Sequence, residues 1–102
     1  MFLKHYSTEK LKKEILEIIG KHLDLKKYRV FLFGSRVTGK GDERSDIDIG
    51  IEGQEPISLK IMSEIKEEIE ELPILYKIDV VDFKTVSSDF KTVAQHNIEF
   101  IL

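Results

Sequence analysis

The pattern of apolar and polar positions predicts three helices along the chain. Between Ser7 and His22 the apolar residues follow helical i, i+4, i+7, i+8 spacing, and this stripe consists of Leu11, Ile15, Ile18 and Ile19. A second stripe between Ile61 and Leu72 predicts another amphipathic helix, which Pro73 ends. A serine at 87 or 88 can cap a last short helix. We expect that helix to carry Phe90, Val93, Ala94, Ile98 and Ile101.

The same pattern predicts three strands. The segment Tyr28–Phe33 is aromatic and β-branched and ends at Gly34, which indicates a buried strand. The segment Asp46–Glu52 alternates strictly, so its isoleucines share one face and its two aspartates, Asp46 and Asp48, share the other. The segment Ile74–Phe83 is apolar on both faces, which predicts a central strand. A fourth strand is not excluded, since a very short strand leaves no recognisable pattern.

Helices that alternate with strands predict an α/β fold with a small mixed sheet and helices packed on it. At 102 residues the chain is expected to form a single domain, 1–102. It has 16 basic and 19 acidic residues, so direct nucleic-acid binding is not expected. No apolar run approaches the roughly 20 residues of a membrane span. The lack of cysteine excludes disulfides and thiolate metal sites and fits a cytoplasmic location.

The first candidate chemistry is a pair of carboxylates on the second strand. Asp46 and Asp48 are two residues apart, so they share a face with Cα atoms roughly 6.5–7 Å apart. Such a pair can hold Mg²⁺, which prefers oxygen ligands and is completed by substrate phosphates. An isolated Asp-x-Asp strand is nevertheless more often a plain polar face.

A third carboxylate, Asp79, lies in the most apolar segment of the chain. A buried carboxylate there needs a cation or strong hydrogen bonds, because an isolated charge is costly to bury. The competing interpretation is a surface position, or an ion pair with Lys77 or Arg29. Asp82 is the rival third carboxylate, but it lies on the opposite face from Asp79, so both cannot serve one site.

A phosphate-binding turn is the second candidate. Gly34 and Ser35 follow a buried strand, where a glycine lets the backbone approach a phosphate and a serine adds a hydroxyl donor. The stretch Gly34–Gly41 nearly matches a P-loop. Its last position is Gly41 instead of Ser or Thr, however, and no helical pattern follows it, so a P-loop is not expected.

Together these residues resemble the signature of the DNA polymerase β-like nucleotidyltransferase superfamily. Gly34-Ser35 is followed by ten residues and then Asp46-Ile47-Asp48, and both Ser45 and Ile49 suit the signature. The small size and the third aspartate on a later strand make the chain most similar to the prokaryotic minimal nucleotidyltransferases (MNT). The resemblance covers roughly residues 7–83.

This resemblance implies transfer of a nucleoside monophosphate from an NTP to a hydroxyl, with ATP as the expected donor. By analogy, Asp46, Asp48 and Asp79 would hold two Mg²⁺ ions, and Asp79 would help to activate the acceptor. The nucleotide would be bound by Gly34, Ser35, Arg36 and Ser45.

MNT proteins are also paired with HEPN-domain ribonuclease toxins, which implies a protein acceptor. The resemblance therefore predicts an antitoxin that adenylylates a tyrosine of a HEPN partner. At this length the chain is expected to be without the additional domains of larger relatives, and we expect the acceptor or a homo-oligomer to complete the site. Two alternatives remain open, a binding-only antitoxin or nucleotide-sensing subunit, and transfer to a small molecule.

Overall fold

A computed structural model describes residues 1–39, 41–42 and 44–102, which form four helices and four strands. The helices are α1 (Thr8–His22), α2 (Ser35–Thr38), α3 (Leu59–Glu70) and α4 (Ser88–Ala94). The strands are β1 (Arg29–Phe33), β2 (Ile47–Glu52), β3 (Ile78–Asp82) and β4 (Glu99–Phe100). This confirms the predicted α/β class.

The three longer helices begin where serine side chains can accept a hydrogen bond from the first helical turn. Ser7 caps α1, Ser58 caps α3 and Ser87 caps α4, each accepting a backbone N–H three residues further on. The predicted first helix is confirmed within a residue, and the second starts two residues earlier than its apolar stripe. Helix α4 is shorter than predicted, because Ile98 lies beyond its end at Ala94.

The four strands form one mixed sheet in the order β3-β2-β1-β4. Strand β1 pairs antiparallel with both β2 and β4, whereas β2 and β3 are parallel. The expectation that the third strand is central was wrong, because β3 lies at the sheet edge. It is apolar on both sides because Val80 packs against the helices and Val81 packs against aromatic rings on the other face.

The chain end forms β4, where the sequence predicted a continuation of the last helix. Phe100 pairs with Phe31 of β1, and the Ile101 amide donates to the Val30 carbonyl at 2.9 Å. Ile98 packs in the aromatic cluster and Ile101 in the main core, so the apolar spacing reflects two separate contacts and not one helix face.

The two faces of the sheet are covered differently. Helices α1 and α3 pack on one face and form the main core with the isoleucines of β2, as predicted. The other face carries Phe31, Phe33 and Phe83, and α4 packs against these rings through Phe90. We call this second side the open face. Asp48 and Asp79 belong to it.

None of the helices in the described part of the chain is long and apolar enough to cross a membrane.

Candidate active site

The parallel pairing of β2 and β3 places two of the predicted carboxylates side by side. Asp48 is in register with Asp79, and neighbouring strands are about 4.8 Å apart, so both side chains project from the open face as neighbours. Asp46 precedes β2 and lies two residues before Asp48. The structure thus brings Asp46, Asp48 and Asp79 to one end of the sheet.

Of the two interpretations of Asp79, burial in an apolar strand and a surface position, the structure shows the surface position. Its side chain is exposed, because β3 is an edge strand and the open face lacks a helix layer at this end. The alternative ion pairs are also absent from the described residues: Lys77 lies 3.9 Å from Asp46, and Arg29 pairs with Glu52. Asp79 is therefore available to a ligand.

Asp82, the rival third carboxylate, has a structural position. It is 7% exposed and lies on the helix-covered side of the sheet. Its carboxylate accepts hydrogen bonds from the backbone amides of Ile57 at 2.8 Å and Lys84 at 2.9 Å. These bonds anchor the turn that leads into α3, so Asp82 is fully engaged away from Asp48.

The charges around Asp48 suit a cation. Burial, together with the nearby charges of Asp79 and Asp46, raises the pKa of Asp48 from its ordinary 3.8 to about 6. Across the described residues, no lysine or arginine lies within 4 Å of the carboxylate of Asp48 or Asp79. A divalent cation would relieve this repulsion.

The carboxylates do not form a ready-made metal cage. No group of three histidine, cysteine or acidic side chains in the described ranges is close enough to hold a metal ion alone. Mg²⁺ is commonly bound by only one or two carboxylates plus substrate phosphates and water. The donor set therefore fits a site that a phosphate-bearing substrate completes.

The Gly-Ser turn lies directly against this acidic group. Gly34 adopts φ +85°, a conformation that side chains rarely allow, and a Cβ there would lie 2.2 Å from Oδ2 of Asp48. The backbone of Gly34 thus occupies the space beside the carboxylate, which only glycine permits. A ligand bound by this turn would touch Asp48 as well.

The turn continues into α2, which has only four residues, so this segment does not have the long helix that a P-loop opens. Lys40, the lysine of the P-loop near-match, lies outside the described residues. Ser35 and Ser45 both approach Gly41, where a Cβ would lie 2.9 Å from the Ser35 hydroxyl and 2.8 Å from that of Ser45.

Ser45 and Arg36 contribute to the loop itself. The Ser45 hydroxyl accepts the Asp42 amide at 2.9 Å. The Arg36 Nε donates to the Ser45 carbonyl at 2.8 Å, and its guanidinium lies 4.7 Å from the centre of the Tyr76 ring. Arg36 thus links the Gly-Ser turn to the segments before β2 and β3, and Ser45 holds the loop that precedes β2. Neither residue lines the cavity described next.

A cavity of about 620 Å³ opens beside the carboxylates. Its polar end is formed by Gly34, Ser35, Thr38, Asp48 and Asp79. Its apolar wall includes Val86, Phe90, Val93 and Ala94, with Asn97 also in the lining. The sequence pattern predicts a helix that carries Phe90, Val93 and Ala94. It does not indicate that these residues line the site, nor that Thr38 and Asn97 do, because this depends on where α4 packs.

Helix α4 is fixed in this position by polar contacts. Lys91 forms an ion pair with Glu52, a buried residue of β2 that also pairs with Arg29. Burial alone would raise the pKa of Glu52, but the hydrogen bonds from Lys91 and Arg29 lower it. The cavity wall is therefore tied to the strand that carries Asp48.

The fold and this site define a class of protein. The sequence profile of the family described as "Polymerase beta, Nucleotidyltransferase" matches residues 13–101. The chain therefore belongs to this nucleotidyltransferase family.

Among particular proteins, the chain is similar to one named "Probable protein adenylyltransferase MntA" from Haemophilus influenzae. The two are 36% identical over 66 residues, which is 65% of this chain and 58% of MntA. The chain thus matches less than two thirds of that relative's length.

Solved structures share the fold. A complex of a tri-AMPylated HEPN toxin with an MNT antitoxin from Shewanella oneidensis superposes with a TM-score of 0.72 at 16% identity, covering 94% of this chain and 72% of that chain. A toxin–antitoxin structure with AMP-PNP also superposes with a TM-score of 0.72, at 19% identity, covering 89% of this chain and 72% of that chain. At these identities the likeness concerns the fold alone.

Proposed function

We propose that the chain transfers AMP from ATP to a tyrosine hydroxyl of a HEPN-domain partner and thereby acts as its antitoxin. The observation that carries this proposal is the register of Asp48 with Asp79 directly beside the Gly34 turn. Membership of the nucleotidyltransferase family, and the similarity to a protein named as an adenylyltransferase, support this activity. The likeness to an MNT antitoxin bound to an AMPylated HEPN toxin agrees with the proposed partner.

The polar end of the cavity suits the triphosphate. Gly34 leaves its backbone accessible, and Ser35 offers a hydroxyl to the β- and γ-phosphates. Asp46, Asp48 and Asp79 would hold Mg²⁺, proposed as two ions, which would neutralise charge on the phosphates during transfer. Arg36 would act through the loop, since it contacts the Ser45 carbonyl.

The reaction exchanges a phosphoanhydride bond of ATP for a phosphoester bond to the acceptor. The tyrosine oxygen forms a bond to the α-phosphorus, while the bond from that phosphorus to the bridging oxygen breaks and pyrophosphate leaves. Asp79 is the most exposed of the site carboxylates, so we assign it as the group that accepts the hydroxyl proton. We place this reaction in the cytoplasm, where ATP is available.

Label transfer tests the proposal. The purified chain, Mg²⁺ and the HEPN protein encoded in the same genome would be incubated with ATP labelled at the α- or the γ-phosphate. Label on the partner from the α position alone, lost in Asp46→Asn and Asp48→Asn, would support AMP transfer. Label from the γ position would indicate phosphorylation and contradict the proposal.

Growth rescue separates catalysis from binding. The HEPN protein would be expressed with the chain or with the Asp46→Asn, Asp48→Asn double variant. We expect only the unmodified chain to restore growth, with both forms retaining the partner on an affinity column. Equal rescue by the double variant would instead favour the binding-only antitoxin.

A further inference from the structure

The cavity beside the carboxylates has two unlike ends within one continuous space of about 620 Å³. Asp48, Asp79 and the Gly34 turn form one end, and the other is walled by aliphatic and aromatic side chains of α4 and the segment before it. Cavities of roughly 300–1,000 Å³ bind small molecules. A ligand that matches both ends has an anionic, metal-binding part and a flat apolar part, as a nucleoside triphosphate does.

Phe90 presents a braced ring at the apolar end. Its ring centroid lies 6.0 Å from that of Phe33 and 5.8 Å from that of Phe83, both in edge-on arrangements. The side chain nevertheless stays 43% exposed. A supported but exposed aromatic ring is a stacking surface for a base.

Asn97, an exposed residue beyond the end of α4, also lines the same cavity. Its amide carries both hydrogen-bond donors and an acceptor. An asparagine amide can bind adenine through two hydrogen bonds, one to the N6 amino group and one to N7. The neighbouring wall residues Val93 and Ala94 offer no such side-chain group, so base selection would depend on Asn97.

We propose that the apolar end of this cavity is the nucleobase subsite, with Phe90 as the stacking surface and Asn97 as the residue that selects adenine. This inference rests on the proposed function, because it requires a nucleoside triphosphate at the carboxylate end. It adds the position of the base and the residues that select it.

Binding of non-transferable nucleotides tests the subsite without requiring activity. Calorimetric titrations of the full chain would use α,β-methylene ATP and α,β-methylene GTP with Mg²⁺. We expect Phe90→Ala to weaken binding of both analogues by about 5- to 150-fold, the range for loss of base stacking. Phe100→Ala is the matched control, since Phe100 is also half-exposed on the open face but does not line the cavity.

Two more variants separate the roles. Asn97→Ala should reduce the preference for the adenine analogue over the guanine analogue by about 5- to 150-fold, because a bidentate contact is lost. Val93→Glu should weaken the binding of both analogues, because it places a negative charge in the cavity wall. Val93 is 74% exposed, so we expect Val93→Glu to fold normally. It therefore still tests the subsite if Phe90→Ala proves to be unfolded.

The outcomes distinguish this inference from the proposed function. If the unmodified chain binds neither analogue, both are refuted. If it binds them but Phe90→Ala and Val93→Glu bind equally well, the base lies elsewhere and the proposed function still stands. An effect of Phe90→Ala only on the KM for the HEPN protein would assign this wall to the acceptor and overturn the inference. An unchanged adenine preference in Asn97→Ala would remove Asn97 from base selection.

Discussion

Replacing Asp48 by asparagine should make the metal-free protein more stable. Burial and the charges of Asp79 and Asp46 raise the pKa of Asp48 to about 6 from its ordinary 3.8. The ionised carboxylate is thus disfavoured in the folded state, and asparagine has nearly the same shape without the charge. Removing one of the three neighbouring charges removes the repulsion between these carboxylates.

The magnitude follows from the pKa difference. A gap of about two pH units corresponds to about 3 kcal/mol, since each unit is worth about 1.4 kcal/mol. Asp48 is only half-buried, so screening by solvent reduces the expected gain to about 1–2 kcal/mol. For a domain of this size that raises Tm by about 5–15 °C.

The stability difference between Asp48→Asn and the unmodified protein depends on pH. A carboxylate whose folded pKa is raised binds more protons in the folded state, so its contribution to stability is lost as pH rises from about 4 to 6. The free energy of unfolding of Asp48→Asn should therefore be higher than that of the unmodified protein at pH 7.5. The two values should become similar near pH 4. Thermal and urea unfolding in EDTA, followed by circular dichroism, measure the difference.

Asp89→Asn serves as the matched control, because Asp89 is an exposed aspartate in the first turn of α4. We expect it to change stability by less than about 0.5 kcal/mol. An Asp48→Asn protein that is no more stable than the unmodified chain at pH 7.5, or whose advantage is the same at pH 4, would refute this reasoning.

Three further substitutions test other parts of the site and the fold. Gly34→Ala should cost about 1–3 kcal/mol in urea unfolding and abolish AMP transfer, because its Cβ would meet the Asp48 carboxylate. Gly20→Ala, inside α1, should change stability by less than about 1 kcal/mol, because its Cβ would meet only the flexible end of Leu25, at 3.3 Å, and alanine favours the helix. Asp82→Ala should lower stability by about 2–3 kcal/mol, because two hydrogen bonds from backbone amides are lost. Asp79→Asn should instead stop AMP transfer with little loss of stability. The reverse pattern would make Asp82 the third site carboxylate. Arg36→Gln should lower kcat about tenfold with little change in KM for ATP, because it loosens the loop before Asp46. A raised KM with unchanged kcat would show that Arg36 contacts the triphosphate directly instead.

The sequence predicted the parts of the fold that depend on local signals. Helices α1 and α3 have complete apolar stripes and serine caps, so their existence and approximate limits follow from spacing alone. The alternation of β2 likewise determines that its isoleucines face the core and Asp48 faces away. The grouping of Gly34 and Ser35 with Asp48 was also expected, because the motif joins them in one short stretch.

Features that depend on contacts distant in sequence were not predictable. Strand β4 has two residues and forms because β1 offers a free edge to pair with, which no local pattern reveals. The exposure of Asp79 depends on β3 lying at the sheet edge. Val86 and Phe90 become cavity residues only because α4 packs near the open face and Lys91 reaches Glu52.

Intact-mass spectrometry of the HEPN partner tests the proposed AMP transfer most directly. The partner would be incubated with ATP, Mg²⁺ and either the unmodified chain or Asp48→Asn, whose folding the stability measurements establish independently. We expect the mass of one or more added AMP groups with the unmodified chain, assigned to tyrosine by peptide fragmentation, and none with the folded variant. An unmodified partner in both reactions, or equal modification by Asp48→Asn, would contradict the proposed function.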